Sequence, residues 1–352
     1  MEFFIKLYDK DHNILDEVYE ICDLDYTFTV NGIGKARINV PYYTVKTNNK
    51  NYRHCNDIEI YRIIDNKEEL LWWGVIYNTI PNQSTLEIEC YGYIEKIKNR
   101  LFQSFINEEF KMYRGTYDKV IFSMLDTINS YYDCGIYRGT AQYNSLETER
   151  KIEWNNNFFD KLDEFTTDSN YYWDVDKDRK LNLSINIGSD KTYYEINDEV
   201  NIVGDVSINS SGEIYNHIIA KNTYTEEESD VEITLISEKK NINSINLYGL
   251  KTKELSVNDI HIQDTLDTYV QRELEKCSNP LLNITLTVSN SGVFDIFDIK
   301  KGDLVSLKLK SINMDTKIKI LEYTIKPKTL TADIVVGNCY FRPNKPNKYT
   351  FL

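Results

Sequence analysis

The chain has 352 residues, above the size at which one hydrophobic core stops growing, so two or more domains are expected. Its 55 acidic side chains outweigh 41 basic ones, and the formal charge of −14 repels phosphate, which excludes general nucleic-acid binding through counterion release. With 41% hydrophobic and 27% charged residues and no run of 18 apolar residues, the composition fits a folded chain without a membrane-spanning helix.

From the start, Met1-Glu2-Phe3-Phe4-Ile5-Lys6 reads as a strand. It has no basic leader, long apolar core or small-residue cleavage site, so export by a signal peptide is not expected. Tyr26–Val30 alternates large and polar residues, Asn31-Gly32-Ile33-Gly34 supplies a turn, and Ala36–Val40 alternates again before Pro41. Asp57–Ile64 and Leu71–Tyr77 flank Asp65-Asn66-Lys67 as a hairpin, and Thr85–Tyr91 follows with a strict period of two. Consecutive short strands over residues 1–105 predict a small barrel or sandwich.

The middle, residues 106–190, changes period. Val120, Ile121, Met124, Leu125 and Ile128 fall on one helical face behind Thr116 as N-cap. A second helix over 156–167 places Phe158, Phe159, Leu162 and Phe165 at helical spacing. Tyr171 to Ile185 reads as strand, polar turn and returning strand. Strands resume at 200–203, 214–220 and 231–236, and a helix over 262–276 turns Leu266, Tyr269, Val270 and Leu274 inward. Four more strands follow at 282–288, 304–309, 317–325 and 330–336, and the last ten residues form a patternless tail suited to docking on a partner. The fold class expected is therefore mainly β with an α/β insertion (α+β). It comprises a first β-barrel module (1–105), a helix-plus-hairpin middle domain (106–190) and a second β-barrel module (191–352) that includes the helix at 262–276 and the tail.

Motifs that tempt a catalytic reading fail on their chemistry. Asp174-Val-Asp176-Lys-Asp178 opens like a calcium loop, but Arg179 stands where a sharp turn wants Gly and Ile185 where a bidentate Glu belongs. Adjacent strand residues face opposite ways, so of Trp72 and Trp73 only one is free to serve a ligand such as a sugar ring. His12, His54, His217 and His261 are isolated, and no G-x-S-x-G or H-E-x-x-H occurs. The six cysteines (22, 55, 90, 134, 277 and 339) form no C-x-x-C pair, which suits reduced thiols. No catalytic, cofactor-binding or metal-ligating residue is assigned, no cofactor is implied, and the chain is expected not to be an enzyme.

The ordered set of strands resembles the tail-hub proteins of siphophages, relatives of the baseplate hubs of contractile tails. Asp57-Ile-Glu-Ile-Tyr-Arg62, then Trp73-Gly-Val-Ile76, then Leu86-Glu-Ile-Glu-Cys-Tyr-Gly-Tyr93 are similar to the family's first domain. Trp154–Ile185 is similar to its helix and "w-x-v-d-x-d-g-x-l" hairpin, with Arg179 replacing the turn Gly. Asn201-Ile-Val203 with Tyr215–Ala220, the Leu266–Leu274 helix, and Phe297 through Lys301-Gly302-Asp303 into Ser306 resemble its later elements. The resemblance implies a homotrimer in the virion tail, assembled in the host cytoplasm. It would cap the tail tube as a ring, two tube-like β-barrels per subunit surrounding a lumen for DNA. Its partners would be the tail tube protein, a distal tail or baseplate protein, and a central fibre or spike supplied as a separate protein, with DNA as passing cargo. The alternative expectations are another tail component, such as a hexameric distal tail protein, and a cell-wall-directed glycan-binding or hydrolase module.

Charge sharpens the implied conduit. Residues 299–352 hold eleven basic and four acidic residues, net +7, which leaves −21 on the rest. An acidic lumen would let DNA slide. Lys308 and Lys310 share one strand face, as do Lys317 and Lys319, and both rows are expected to point away from a lumen, towards an acidic neighbour or solvent. The 27 Tyr suit half-buried strands and broad subunit contacts.

Overall fold

The computed structural model describes residues 2–42, 49–102, 110–144, 146–211, 214–225, 231–257, 260–279 and 281–337. The expected docking tail and Cys339, Arg342, Lys345 and Lys348 lie outside them. The chain is mainly β, as its alternating pattern requires.

The first seven strands are β1 (Glu2–Tyr8), β2 (Ile14–Val18), β3 (Asp23–Thr29), β4 (Lys35–Pro41), β5 (Asp57–Ile64), β6 (Lys67–Pro81) and β7 (Thr85–Tyr91). They pair antiparallel in the order β3-β4-β7-β6-β5-β1-β2. β4 and β7 alternate buried with exposed or half-buried positions, so one face supplies the core. Asp65 and Asn66 both take positive φ (50° and 59°), the two-residue turn whose twist suits a hairpin.

The middle of the chain follows with α1 (Glu95–Lys98), β8 (Phe110–Thr116), α2 (Tyr117–Tyr131), β9 (Tyr137–Ala141), β10 (Glu147–Glu153), α3 (Phe158–Ser169), β11 (Tyr172–Val175) and β12 (Lys180–Ser184). The helical faces read from sequence close on one core: Val120, Ile121, Met124, Leu125 and Ile128 meet Phe158, Leu162 and Phe165, with Phe159 half-buried against them. Thr116 occupies the N-cap position of α2 without a side-chain hydrogen bond, whereas the Asn157 carboxamide caps α3 by accepting from Phe159 N at 2.8 Å.

The remaining elements are β13 (Asp190–Asn197), β14 (Ile202–Ser211), β15 (His217–Thr225), β16 (Glu232–Lys240), α4 (Ile242–Tyr248), β17 (Thr252–Ser256), α5 (Gln263–Cys277), β18 (Leu281–Ser289), β19 (Leu304–Leu309), β20 (Met314–Lys326) and β21 (Thr331–Gly337). β15, β16 and β17 form a separate three-stranded sheet beneath α5, with a core of Ile218, Ala220, Ile260, Leu266, Val270 and Leu274, so this segment is a small unit inserted between β14 and β18. Tyr269 is half-buried beside it. The others pair in the order β14-β18-β21-β20-β19-β13.

β20 joins the molecule together. It pairs β19 along its first half, shifts register after Ile320, and pairs β3 from Glu322 to Ile325 with β21 alongside. The Thr27 and Thr324 hydroxyls meet at 2.7 Å across that seam. The result is one thirteen-stranded sheet, with no closed ring of strand pairs among the described residues. One hydrophobic cluster runs through both halves, from Ile5, Ile38 and Trp72 to Ile284, Val305 and Ile334.

Candidate functional site

The β11–β12 hairpin is the element on which the two halves of the sheet and the middle of the chain converge. Its backbone is received by side chains of the first strands. Asn31 accepts from Trp173 N at 2.9 Å and donates to Tyr171 O, while Trp73 Nε1 donates to Val175 O at 3.0 Å. From the far half, Lys301 Nζ lies 2.7 Å from Asp174 Oδ1. A cavity of about 700 Å³ opens beside these contacts, walled by Phe28, Trp73, Tyr172, Trp173 and Tyr323 with Lys301 at its rim.

The hairpin tip reaches a buried charge. Arg179 sits in the left-handed region (φ 60°), which a non-glycine residue enters at a cost of about 1 kcal/mol. Its Nη1 lies 3.5 Å from Oδ2 of Asp57, a fully buried carboxylate. Lys96 Nζ stands 2.6 Å from Oδ1 and His12 Nδ1 3.6 Å from Oδ2. None of these approaches has hydrogen-bond alignment, so Asp57 is balanced by charge rather than by directed bonds. Next to it Glu59 accepts from the Tyr8 and Tyr61 hydroxyls at 2.6 and 2.5 Å. Burial, followed by the Glu59 hydrogen bond, pushes the Tyr61 phenol up to about 12. Burial and then the Asp57 charge raise Tyr93 further.

Two glycines set the other contact. Gly188 and Gly302 both have positive φ (74° and 88°), and a Cβ on Gly188 would lie 2.0 Å from the Gly302 carbonyl carbon. Asp303, fully buried, accepts from Ser189 N and Lys300 N at 2.8 Å each, which fixes the turn read from Lys301-Gly302-Asp303.

The tempting motifs are absorbed by structure. Asp176 accepts from Asp178 N, Lys180 N and Asn182 Nδ2, closing a hairpin turn, and no group of three metal-ligating side chains occurs among the described residues. Trp72 is in the core, and Trp73, on the opposite face, gives its indole N–H to the hairpin and its ring to the cavity wall. His217 links the Thr252 hydroxyl and Glu238 at 2.9 Å each. This hydroxyl–imidazole–carboxylate chain lies across neighbouring strands, where His217 pairs Thr252 and Lys240 competes for Glu238 at 2.6 Å. None of the three residues lines the cavity described above, although together they have the connectivity of a triad. The lysine rows also divide. Lys308 and Lys310 pair with Glu195 and Glu199 of this same chain, while Lys317 is exposed. Sequence reading missed the Asp57–Lys96–Arg179 cluster; its one signal was an Arg where the hairpin pattern wants Gly.

No family model and no curated protein matches the sequence. Solved structures do match over nearly the whole chain. A prophage tail protein of Listeria monocytogenes is 13% identical, with 97% of this chain and 96% of that one covered at a TM-score of 0.65. A tail protein of Neisseria meningitidis is 10% identical over 96% and 97% at 0.64, and one from prophage MuSo2 of Shewanella oneidensis is 11% identical over 96% and 97% at 0.63. The fold is therefore that of phage tail proteins over nearly the whole matched length.

Proposed function

We propose that the chain is a structural hub of a phage or phage-tail-like particle, capping the tail tube as a ring and joining it to the baseplate or a central fibre. The observation that supports this reading is that strands from the first and the last part of the chain join edge to edge through β20 and β3. Two modules per chain suit threefold assembly with pseudo-sixfold symmetry, whereas one would suit a sixfold ring. On this reading the modules are residues 1–105 and 191–352, each tube-like in the ring, and residues 106–190 stand between them. The ring surrounds a lumen through which DNA passes unbound, and the protein is assembled in the host cytoplasm and resides in the virion tail. It performs no catalysis: the charged clusters described above tie strands and modules together, and the triad-like chain at His217 lies outside the cavity beside the hairpin.

Light scattering at micromolar concentration and negative-stain imaging, each with and without the tail tube protein, test the reading. Trimeric rings are expected. A strictly monomeric particle under both conditions rejects it, and turnover of peptidoglycan that disappears on mutating one carboxylate favours the cell-wall enzyme instead.

A further inference from the structure

The segment from Lys239 to Lys253 holds four lysines (239, 240, 251 and 253) and no acidic residue. In a chain of −14 it is an island of +4, which leaves −18 on the remainder. Its tip is apolar: Ile242, Leu247, Tyr248 and Leu250 are exposed, Leu247 by 72%. Scattered apolar side chains on a surface need no explanation. Four of them on one protrusion rimmed by lysine have the composition of a contact surface.

The protrusion is held in shape from beneath. Asn216, fully buried, donates to the Gly249 carbonyl at 2.7 Å and accepts from Lys251 N at 2.8 Å. The Asn241 carboxamide caps α4 by accepting from Ser244 N, and the Ser244 hydroxyl donates to Ser278 O. Polar side chains are thus buried to fix this backbone while the apolar ones face outward. Hydrophobic collapse would give the opposite arrangement, so the display is built in.

We propose that this basic, apolar knob docks on the acidic surface of a second copy of the chain. Charge selects the occupant. The remainder at −18 makes any second copy an acidic partner, whereas an anionic bilayer would repel the same remainder within a Debye length of about 8 Å. Within the knob Lys240 and Lys253 pair with Glu238 and Glu273 of their own chain, but among the described residues Lys239 and Lys251 have no ion pair. A knob meeting a different surface on its neighbour is a head-to-tail contact, the kind that closes into a ring. The inference rests on the homo-oligomeric reading above.

Sedimentation velocity over a concentration series, at low and high salt, tests it with the wild type and two variants, Leu247→Asp/Leu250→Asp and Lys239→Glu/Lys251→Glu. All four side chains changed are at the surface or at its margin, so melting temperatures should match. The wild type should form trimers, and both variants should need at least about tenfold more protein to assemble. Added salt should weaken the wild type more than the lysine variant. A trimeric wild type with variants that assemble at the same concentration overturns the inference and leaves the hub reading intact. A wild type monomeric with and without the tube protein overturns both. Wild-type binding to phosphatidylglycerol vesicles that the variants lose assigns the knob to lipid and overturns the proposal.

Discussion

Replacing Asp57 by Asn keeps the shape of the side chain and removes the charge on which Lys96, Arg179 and His12 converge. Removing one member of a buried pair costs about 3–5 kcal/mol because the partner is left uncompensated. Here the Lys96 and Arg179 side chains keep 14% and 17% of their exposure and regain some hydration, so about 2–3 kcal/mol is expected. The loss should appear where Arg179 anchors, as roughly 30- to 150-fold faster hydrogen exchange of the β11–β12 amides. Arg179→Gly makes the complementary change. It gives up a contact at 3.5 Å but relieves the left-handed backbone by about 1 kcal/mol, so its net effect should stay within about 1 kcal/mol. In the Asp57→Asn background the arginine has no anion to meet, so the same Gly substitution should become stabilising, with a coupling of about 1–2 kcal/mol. Exchange in Asp57→Asn at the wild-type rate, or a cycle additive to within about 0.3 kcal/mol, would refute the view that Arg179 clasps the hairpin to the first strands.

Gly188→Ala should destabilise the protein by more than about 3 kcal/mol, because a Cβ would overlap the Gly302 backbone and the position has positive φ; a thermal melt within a degree of wild type would contradict this close approach. The Glu195 carboxyl is held below its ordinary value chiefly by its hydrogen bond with Lys308. Its contribution is therefore complete above an ordinary pKa of 4.5 and disappears as pH falls through the lowered folded value. The melting-temperature gap between wild type and Glu195→Gln should be present at pH 7 and close under acid, and a gap that persists at the lowest pH would assign the loss to packing.

Local pattern proved sufficient wherever neighbouring residues settle the conformation. Thr85–Tyr91 and Leu304–Leu309 were legible to the residue because strict alternation admits one strand register. The Asp65-Asn66 turn was legible because few residues tolerate two successive positive φ angles. The helices starting at Tyr117, Phe158 and Gln263 were readable from their apolar spacing. The strands at Phe110–Thr116 and Glu147–Glu153 were not: charged residues interrupt their alternation, and their inward side chains include Arg150 as well as Tyr113 and Ile152.

The sequence by itself determined the β-rich class, the helical middle, the tight turns and the failure of the metal, cofactor and protease motifs, since each of these depends on residues a few positions apart. Only the tertiary structure decided that β20 lies against β3 nearly 300 residues away, that the segment around α5 forms its own small core, and that the Trp73 indole N–H bonds to the hairpin. The same holds for Arg179. From sequence it is a misplaced turn residue, and it acquires a purpose only when folding brings it within 3.5 Å of a carboxylate 122 positions earlier that has been stripped of water. Periodicity records which face of a strand is apolar, but not which distant strand or charge that face will meet, because long-range pairing is chosen by the summed burial and charge compensation of the whole chain.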